Sequence, residues 1–289
     1  MTTRSNTRGP LDDLGAMPTA NNTVAGRASF IAEKIANRLN ELDRLGGRFA
    51  LRGIARLTGR ALHRCRIPGV GDVAIRQGSS DALVFRQVFR DRQYEFSREA
   101  HTARARAAYE EIVARGNTPL VIDCGANVGA TALWFASEYP KAQIVAVEPH
   151  EGNATLCRAN TAGLRIDTVT AAIGAEEGTA RLIGEGGEEW GFRTEREVAG
   201  NIPVVTIDNL VAAQGPCAEL FMVNVDIEGF ESDLFAKNTD WLKQVSVLIV
   251  KPHDWRYADA APVTTTMQEA VAGQGFHLLS AGDHLIYIR

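Results

Sequence analysis

Seven residues between a predicted strand and a predicted helix have types that suit a small charged ligand. The segment 123–129 reads Asp-x-Gly-x-Asn-x-Gly and directly follows the apolar run 120–122. Glycines there let the backbone approach a ligand closely, and the N-terminus of the following helix favours an anionic group such as a carboxylate. The acid at 123 would repel a pyrophosphate but would suit an ammonium group. The loop therefore predicts a zwitterionic ligand, with Asp123, Gly125, Asn127 and Gly129 as binding residues.

A second acid narrows the choice of ligand. Glu148 stands at the end of the next predicted strand, 25 residues after Asp123. A carboxylate at this place can accept hydrogen bonds from both hydroxyls of a ribose; the alternative is a solvated turn residue. S-adenosylmethionine carries both an amine and a carboxylate on its methionine part, whereas NAD and ATP do not. The two acids together therefore favour S-adenosylmethionine.

A third group of acids follows the apolar strand 220–223. Asp226, Glu228 and Glu231 come directly after it, and charged groups are seldom buried without a partner. The later acids also suit the first turn of a helix, where the macrodipole favours negative charge. That alternative explains Asp226 less well, so Asp226 is a candidate catalytic residue.

The segment 251–255 supplies the second candidate catalytic residue. His253 follows another predicted strand and could take a proton from a hydroxyl near neutral pH, although a single histidine is more often structural. Asp226, Glu228, His253 and Asp254 could together hold a hard divalent cation. Nothing in their spacing requires one, so the sequence predicts no metal.

Strands and helices alternate from residue 118 onward. Runs of apolar and β-branched residues at 120–122, 144–147, 168–172, 204–207, 220–223 and 245–250 read as strands, with helical segments between them and a closing hairpin at 276–288. Such alternation predicts an α/β fold with a mostly parallel sheet covered on both faces. The segment 176–200 is rich in glycine and glutamate and holds Trp190, which predicts a long loop over the site.

The N-terminal part divides into three predicted regions. Residues 1–25 are expected to be a disordered leader, residues 26–80 a basic helical extension and linker, and residues 81–289 the main domain. Two helices are expected, the second starting near Leu51 and ending before Pro68, and short strands are expected around Val73, Ile75, Leu83 and Phe85. Arginines from Arg48 to Arg64 recur every four residues. They form either a solvated helix face or a contact to a membrane surface, a phosphorylated substrate or a partner.

Composition excludes several classes of protein. The chain has 289 residues, a net charge of −4 and 45% hydrophobic residues, which rules out collagen, a wholly disordered chain and a small disulfide scaffold. Residues 1–118 carry a net +8 and residues 119–289 a net −12. No apolar stretch is long enough for a bilayer span, and no secretory signal is recognisable. The cysteines are scattered, which predicts reduced thiols and a cytoplasmic location; the oligomeric state stays open.

The motifs together resemble the FkbM-type family of S-adenosylmethionine-dependent methyltransferases. The likeness extends from about residue 84 to the C-terminus, and several ordered motifs are more specific than any one alone. The matching segments are 84–89 with Tyr94, 121–129, 147–150, Asn160, 171–174, 205–208 and 226–231.

This resemblance implies a fold, a cofactor and a reaction. The fold would be Rossmann-like and of the class I methyltransferase type, with a mostly parallel seven-stranded sheet, helices on both faces and a C-terminal antiparallel hairpin. The reaction would be O-methylation of a hydroxyl on a sugar, polyketide or related metabolite, with a small-molecule or glycan acceptor and no nucleic acid. Asp226 and His253 would be catalytic. S-adenosylmethionine would be held by Asp123, Gly125, Asn127, Gly129, Glu148 and Pro149, with Ala172 and Ile173 beside the adenine.

Two positions depart from the family pattern. The family usually has a lysine at the place of Asn224 and often an acid where this chain has Lys251. The exchange relocates a positive charge within one site if the two strands are neighbours; otherwise it indicates altered or lost chemistry. A non-catalytic binding module anchored through the N-terminal arginines is therefore the alternative. An NAD-dependent oxidoreductase fits poorly because the glycine spacing differs.

Overall fold

The computed structural model describes residues 24–52, 60–96, 99–184, 192–254 and 263–289. Its strands are β1 (Leu62–Ile67), β2 (Gly71–Arg76), β3 (Thr118–Cys124), β4 (Gln143–Val147), β5 (Ile166–Val169), β6 (Ala172–Ile173), β7 (Gly178–Gly184), β8 (Phe192–Arg196), β9 (Ile202–Val205), β10 (Ala218–Val225), β11 (Val247–Val250), β12 (His277–Ala281) and β13 (His284–Ile288). Its α-helices are α1 (Val24–Leu45), α2 (Gly47–Ala50), α3 (Asp81–Phe85), α4 (Glu99–Ala114), α5 (Ala130–Glu138), α6 (Glu151–Asn160), α7 (Ile207–Ala213), α8 (Glu231–Leu234) and α9 (Val263–Val271).

A seven-stranded mixed sheet forms the centre of the protein. Its strand order is β12-β13-β11-β10-β3-β4-β5. The pairs from β11 to β5 are parallel, while β13 runs antiparallel to both β11 and β12. The α/β class and the closing hairpin predicted from the sequence are therefore found in this sheet.

Apolar side chains cover both faces of the central sheet. Along β3, Leu120 and Ile122 belong to one buried cluster and Val121, which points the other way, to a second. Helix α4 packs on the second cluster through buried residues at helical spacing, and α9 packs on the first in the same manner. Strands buried on both faces read as continuous apolar runs, which is why this part of the sheet was recognisable in the sequence.

A second, four-stranded sheet corrects two expectations. Its order is β6-β9-β7-β8, so most of the described part of 176–200 forms paired strands and the long-loop prediction is wrong there. Residues 185–191, including Trp190, lie outside the described residues. The predicted third strand is also divided, because β5 joins the central sheet whereas β6 pairs with β9. Both differences arise because the pairing of these strands depends on backbone hydrogen bonds to strands far away in the sequence, which a local residue pattern does not reveal.

The N-terminal segment contains a hairpin where a helix was predicted. Strand β1 pairs antiparallel with β2, so the second predicted helix is wrong at its end, where Leu62 opens a strand. Alternating burial explains this, since Cys65 and Ile67 are buried and Arg64 and Arg66 are exposed. Residues 1–23 and 53–59 lie outside the described residues. They include Arg56 and all of the predicted leader except Val24 and Ala25, which lie in α1 rather than in a disordered segment.

The hairpin and the segment after it belong to the same buried core as the main domain. Ile67 and Ile75 share a cluster with residues of α4 and α5, so the core continues across the predicted boundary at residue 80, which stays a prediction. Leu83 and Phe85, expected in a strand, lie in α3 instead. The buried carboxylate of Asp81 in the first turn of α3 accepts hydrogen bonds from the backbone N–H and the guanidinium of Arg76, both at 2.7 Å.

The described helices also bear on membrane insertion. None of them, within the ranges given above, is both long enough and apolar enough to traverse a bilayer.

Candidate functional site

Four parallel strands end side by side and present their next residues to one cleft. Cys124 pairs in register with Val147 and Val225, and Val225 pairs with Val250. The following residues therefore converge at one edge of the sheet, where ligands of open α/β sheets bind. The cleft there contains about 910 Å³ of empty space, part of it open to solvent. Seven predicted site residues line it: Gly125, Asn127, Glu148, Pro149, Ala172, Ile173 and Asp226.

The loop after β3 has a backbone that requires glycine. Gly125 has φ +86°, and a Cβ built on it would lie 1.9 Å from the backbone oxygen of Asp226. Asn127, with φ +48°, also adopts a left-handed conformation, which asparagine tolerates better than most residues. Gly129, with φ +88°, precedes α5 and packs against Cys157. It shapes the loop but does not belong to the cleft lining.

Glu148 forms part of the cleft wall at the end of β4. Its Oε2 accepts the backbone N–H of Asn127 at 2.9 Å, and its Oε1 accepts the N–H of His150 at 2.9 Å. Burial raises the pKa of Glu148 to about 7, against the lowering effect of these backbone donors and of Asn153. A carboxylate oxygen has more than one acceptor position, so Glu148 can still receive a ligand hydroxyl.

Asp123 lies behind the cleft wall and is completely buried. Its Oδ1 accepts a hydrogen bond from Asn224 Nδ2 at 2.8 Å. Its Oδ2 is buried and has no hydrogen-bond partner among the described residues. Burial raises the pKa of Asp123 to about 7, with Asn224 opposing the shift and the carboxylates of Asp226 and Glu148 adding to it. Asp123 therefore does not line the cleft and affects it only through the electrostatic field of a carboxylate beneath the loop.

An apolar wall completes the side of the cleft next to Glu148. Ala172 and Ile173 are buried in β6 and line the cleft together with Val147 and Pro149. A planar heterocycle fits such a surface, because apolar side chains line most small-molecule sites and a few polar groups orient the ligand.

Asp226 and Lys251 form an ion pair in the opposite wall. The Lys251 Nζ lies 3.2 Å from the Asp226 Oδ2. Burial alone would raise the pKa of Asp226, but the charges of Lys251 and His253 outweigh it and hold that pKa below its usual range. Since β10 and β11 are neighbours, Lys251 places a positive charge against Asp226, two residues beyond Asn224 along the adjacent strand. This meets the condition under which the sequence predicted a relocated charge.

His253 lies behind Asp226 and does not belong to the cleft lining. Only 1% of His253 is exposed, and its Nδ1–H donates to the buried Glu231 Oε1 at 2.7 Å. Its Nε2 lies 3.3 Å from Asp226 Oδ1 and 3.6 Å from Glu228 Oε2. Burial alone would lower the pKa of His253, but Asp226 and Glu231 raise it to about 10.

Asp254 has a structural role that the sequence did not predict. Its Oδ1 accepts the backbone N–H of Val263 at 2.5 Å, and its Oδ2 accepts that of Thr264 at 3.2 Å. It therefore caps the N-terminus of α9. The other three acidic or histidine residues considered for a metal do come together: one ligand atom each from Asp226, Glu228 and His253 lie within 4.8 Å of one another.

Several residues of the cleft wall were not predicted as site residues. Gln87, Gln93 and Tyr94 reach the cleft from the segment after α3, and Thr194 reaches it from the second sheet. Tyr94 belongs to the segments that resemble the FkbM-type family, and this resemblance was the sequence feature that could have identified it as a site residue. Nothing local marked Thr194, because its position depends on the pairing of β7 with β8.

Sequence and structure comparisons give one family. Residues 123–277 match the family described as Methyltransferase FkbM domain. No curated protein matches the chain.

Similar solved structures include three proteins at low identity. Monomeric WbdD is 14% identical, covering 68% of this chain and 43% of its own, with a TM-score of 0.36. Magnesium protoporphyrin IX methyltransferase (ChlM) from Synechocystis PCC 6803 with bound SAM is 14% identical, and the match covers 69% of this chain and 88% of ChlM with a TM-score of 0.34. Precorrin-6y C5,15-methyltransferase from Geobacter metallireducens GS-15 is 10% identical, covering 64% and 84%, with a TM-score of 0.33. The chain thus spans less than half the length of WbdD, and at these TM-scores the similarities carry no conclusion about its activity.

Proposed function

Because the chain belongs to the FkbM methyltransferase family, whose members are S-adenosylmethionine-dependent, we propose that it methylates a hydroxyl group of a sugar, polyketide or related metabolite. The observation that supports this best is the meeting of four strand ends at one cleft. It brings a glycine loop and Glu148 to one side and Asp226 to the other. The seven-stranded arrangement with its C-terminal hairpin supports a class I methyltransferase fold.

The residues on one side of the cleft fit S-adenosylmethionine. Glu148 offers a buried carboxylate for the ribose hydroxyls, and Ala172 and Ile173 offer an apolar surface for the adenine. Gly125, which has no side chain, and Asn127 line the cleft and offer the loop backbone to the amino-acid end. Asp123, with its buried Oδ2 lacking a partner among the described residues, adds negative charge beneath the loop for the ammonium. Bound S-adenosylmethionine supplies an activated methyl group to the cleft.

The other side of the cleft offers groups that orient a hydroxyl acceptor. The Asp226 carboxylate can accept a hydrogen bond from the acceptor hydroxyl, and Lys251 holds that carboxylate in place through its contact at 3.2 Å. Gln93 and Thr194 add polar side chains to the same lining. Alignment of two reactants can contribute roughly 7–11 kcal/mol to a reaction of this kind. The ring of His253 does not line the cleft. Its role is to hold Asp226 in position through the contact of its Nε2 with Asp226 Oδ1.

The chemistry of the wall also favours one class of acceptor. Glutamine, threonine, lysine and aspartate side chains surround the acceptor side, and such groups pair with several hydroxyls of one molecule. A polyhydroxylated small molecule or glycan therefore suits the site better than a flat apolar acceptor. Because residues 119–289 carry a net charge of −12, a nucleic acid is disfavoured as acceptor.

Calorimetry tests the cofactor part of this proposal. Wild-type protein should bind S-adenosylmethionine, and Glu148→Ala should bind it more weakly because the ribose acceptor is lost. Glu110→Ala, at an exposed position of α4, is the matched control and should bind like wild type. Folded wild-type protein that binds no S-adenosylmethionine would refute the proposal.

The acceptor is identified in a separate experiment. Cell extracts are incubated with the protein and methyl-labelled S-adenosylmethionine, and labelled products are found by mass spectrometry. The expected product carries the label on a hydroxyl oxygen. Label on nitrogen or carbon would refute O-methylation while leaving methyl transfer intact.

A non-catalytic binding module is the second candidate function. The departures at Asn224 and Lys251 favour it, because they change the charge at the centre of the site. Exposed members of the arginine series that recurs every four residues, Arg48 and Arg64, would then provide a peripheral membrane or partner contact. Arg52 is not available for this, since it pairs with the buried Glu41. Cofactor binding without any labelled product across a broad acceptor panel would support this candidate. A cytoplasmic location likewise stays a prediction.

A further inference from the structure

Three potential metal ligands lie close together beside the cleft. They are His253 Nε2, Asp226 Oδ1 and Glu228 Oε2, and the two distances from the histidine nitrogen are 3.3 and 3.6 Å. Two ligands of one cation at about 2.0–2.2 Å from the metal lie about 3.0–3.5 Å apart. The Nε2–Oδ1 distance lies within this range and the Nε2–Oε2 distance just above it, and all three atoms lie within 4.8 Å of one another.

The two buried atoms in this group make no hydrogen bond. Only 1% of the His253 surface is exposed. Even so, neither its Nε2 nor Asp226 Oδ1 has a partner that meets hydrogen-bond geometry among the described residues. Buried polar atoms are nearly always hydrogen-bonded. A divalent cation between these two atoms, 3.3 Å apart, would be a partner for both, and its binding would release the proton from Nε2.

The opposite nitrogen of the histidine is held as in metal sites. The Nδ1–H of His253 donates to the fully buried Glu231 Oε1 at 2.7 Å. A histidine that binds a metal usually donates its other ring N–H to a carboxylate, which fixes the ring and leaves the second nitrogen as the ligand atom. Glu231 therefore orients the ring so that Nε2 faces Asp226 and Glu228.

Backbone conformation and charge agree with this arrangement. Glu228 has φ +52°, a conformation that glutamate rarely adopts and that persists where the surroundings impose it. The carboxylates of Asp226, Glu228 and Glu231 are gathered around the ring of His253, and Lys251 contacts the other oxygen of Asp226. Carboxylates gathered in a mostly buried place offer oxygen ligands of the kind that divalent cations bind.

We propose that Asp226, Glu228 and His253 form a binding site for a divalent cation that accepts mixed nitrogen and oxygen ligands, such as Mn²⁺ or Zn²⁺. Imidazole favours Zn²⁺ and carboxylates favour Mn²⁺, so both ions are used as probes. The cation-binding site stands independently of methyl transfer. Its use to orient an acceptor hydroxyl beside Asp226 rests on the proposed function.

Direct titration tests the site. Chelator-treated protein is titrated with Mn²⁺ or with Zn²⁺, and binding is followed by calorimetry and, for Mn²⁺, by loss of the free-ion resonance signal. One ion should bind per chain. Glu228→Gln should weaken binding at least tenfold, whereas Glu110→Gln, an exposed control, should have no effect. Glu231→Gln should weaken it by about 10- to 100-fold, as expected for a residue that holds a ligand.

Lys251→Gln separates a metal site from a simple cluster of ion pairs. It removes a competing positive charge beside Asp226, so it should tighten cation binding. Absence of saturable binding of both ions, or equal binding by wild type and Glu228→Gln, would overturn the proposal, as would weaker binding by Lys251→Gln. Affinity for S-adenosylmethionine is measured on the same samples. Binding of S-adenosylmethionine without binding of either cation would refute the cation site and leave the proposed function intact. Cation binding without binding of S-adenosylmethionine would refute the proposed function and leave the cation site intact.

Discussion

The backbone oxygen of Asp226 occupies the space that a side chain on Gly125 would need. A Cβ at Gly125 would lie 1.9 Å from that oxygen, so the loop after β3 and the turn after β10 touch backbone to backbone. The cofactor side and the acceptor side of the cleft are therefore joined at this contact. Any substitution that separates them should disturb both.

Gly125→Ala tests this contact against a matched control. Gly116 has φ +80°, close to the +86° of Gly125, but a Cβ there would meet nothing within 4 Å. Gly116→Ala should therefore cost about 1–2 kcal/mol, which is the cost of the left-handed conformation alone. Gly125→Ala should cost about 3 kcal/mol or more in urea unfolding, because the clash is added. Equal costs for the two variants would show that the close contact does not exist in solution.

Affinity for S-adenosylmethionine should depend on pH through the charge of Glu148. Its pKa is about 7 in the free protein because it is buried, and a protonated carboxyl is a poorer acceptor for the ribose hydroxyls. As pH falls from 8 to 6, this group gains a proton and the affinity should fall by about tenfold. Glu148→Gln should bind more weakly at pH 8 and show a smaller change with pH. Asp123, also with a pKa of about 7, should account for the remaining change. An affinity independent of pH over this range would contradict the prediction.

Asn160 should stabilise the protein by joining the N-terminal hairpin to the glycine loop. Its Oδ1 accepts the N–H of Ala74 at 2.8 Å, and its Nδ2 donates to Ala74 O at 3.1 Å and to Val128 O at 2.9 Å. Asn160→Ala leaves these buried backbone groups without partners and should cost about 2–4 kcal/mol in the free energy of unfolding. Asn209→Ala, at an exposed position, should change it by less than about 1 kcal/mol. A loss at Asn160 no larger than at Asn209 would show that the hairpin is not joined in this way.

Only one of the four thiols should react in the native protein. Cys217 is exposed, whereas Cys65, Cys124 and Cys157 are buried. Burial raises the pKa of Cys65 to about 11 and that of Cys157 to about 12, which leaves few thiolates for reaction. Titration with a thiol reagent should give one rapid equivalent in buffer and four in denaturant. Cys217→Ser should remove the rapid equivalent; if it persists, a second thiol is accessible.

The sequence determined the elements of the cofactor side. Continuous apolar runs identified β3, β4, β10 and β11, because strands buried on both faces need no alternation. Asp-x-Gly-x-Asn-x-Gly indicated a backbone that only glycine can adopt, and Gly125 fulfils this by its contact with Asp226. These inferences succeeded because both features are local: each is a requirement on the residue type at one position.

Only the tertiary structure decided which of these residues reach the cleft. Asp123 and His253 lie behind its walls, while Gln93 and Thr194 line it. The structure also paired the strands of 176–200 and placed Leu62 in a hairpin, where the sequence had predicted a loop and a helix. Strand pairing and side-chain burial depend on contacts between residues far apart in the chain, and no local spacing encodes them. The register of β10 with β11 had the same origin, and it set Lys251 against Asp226.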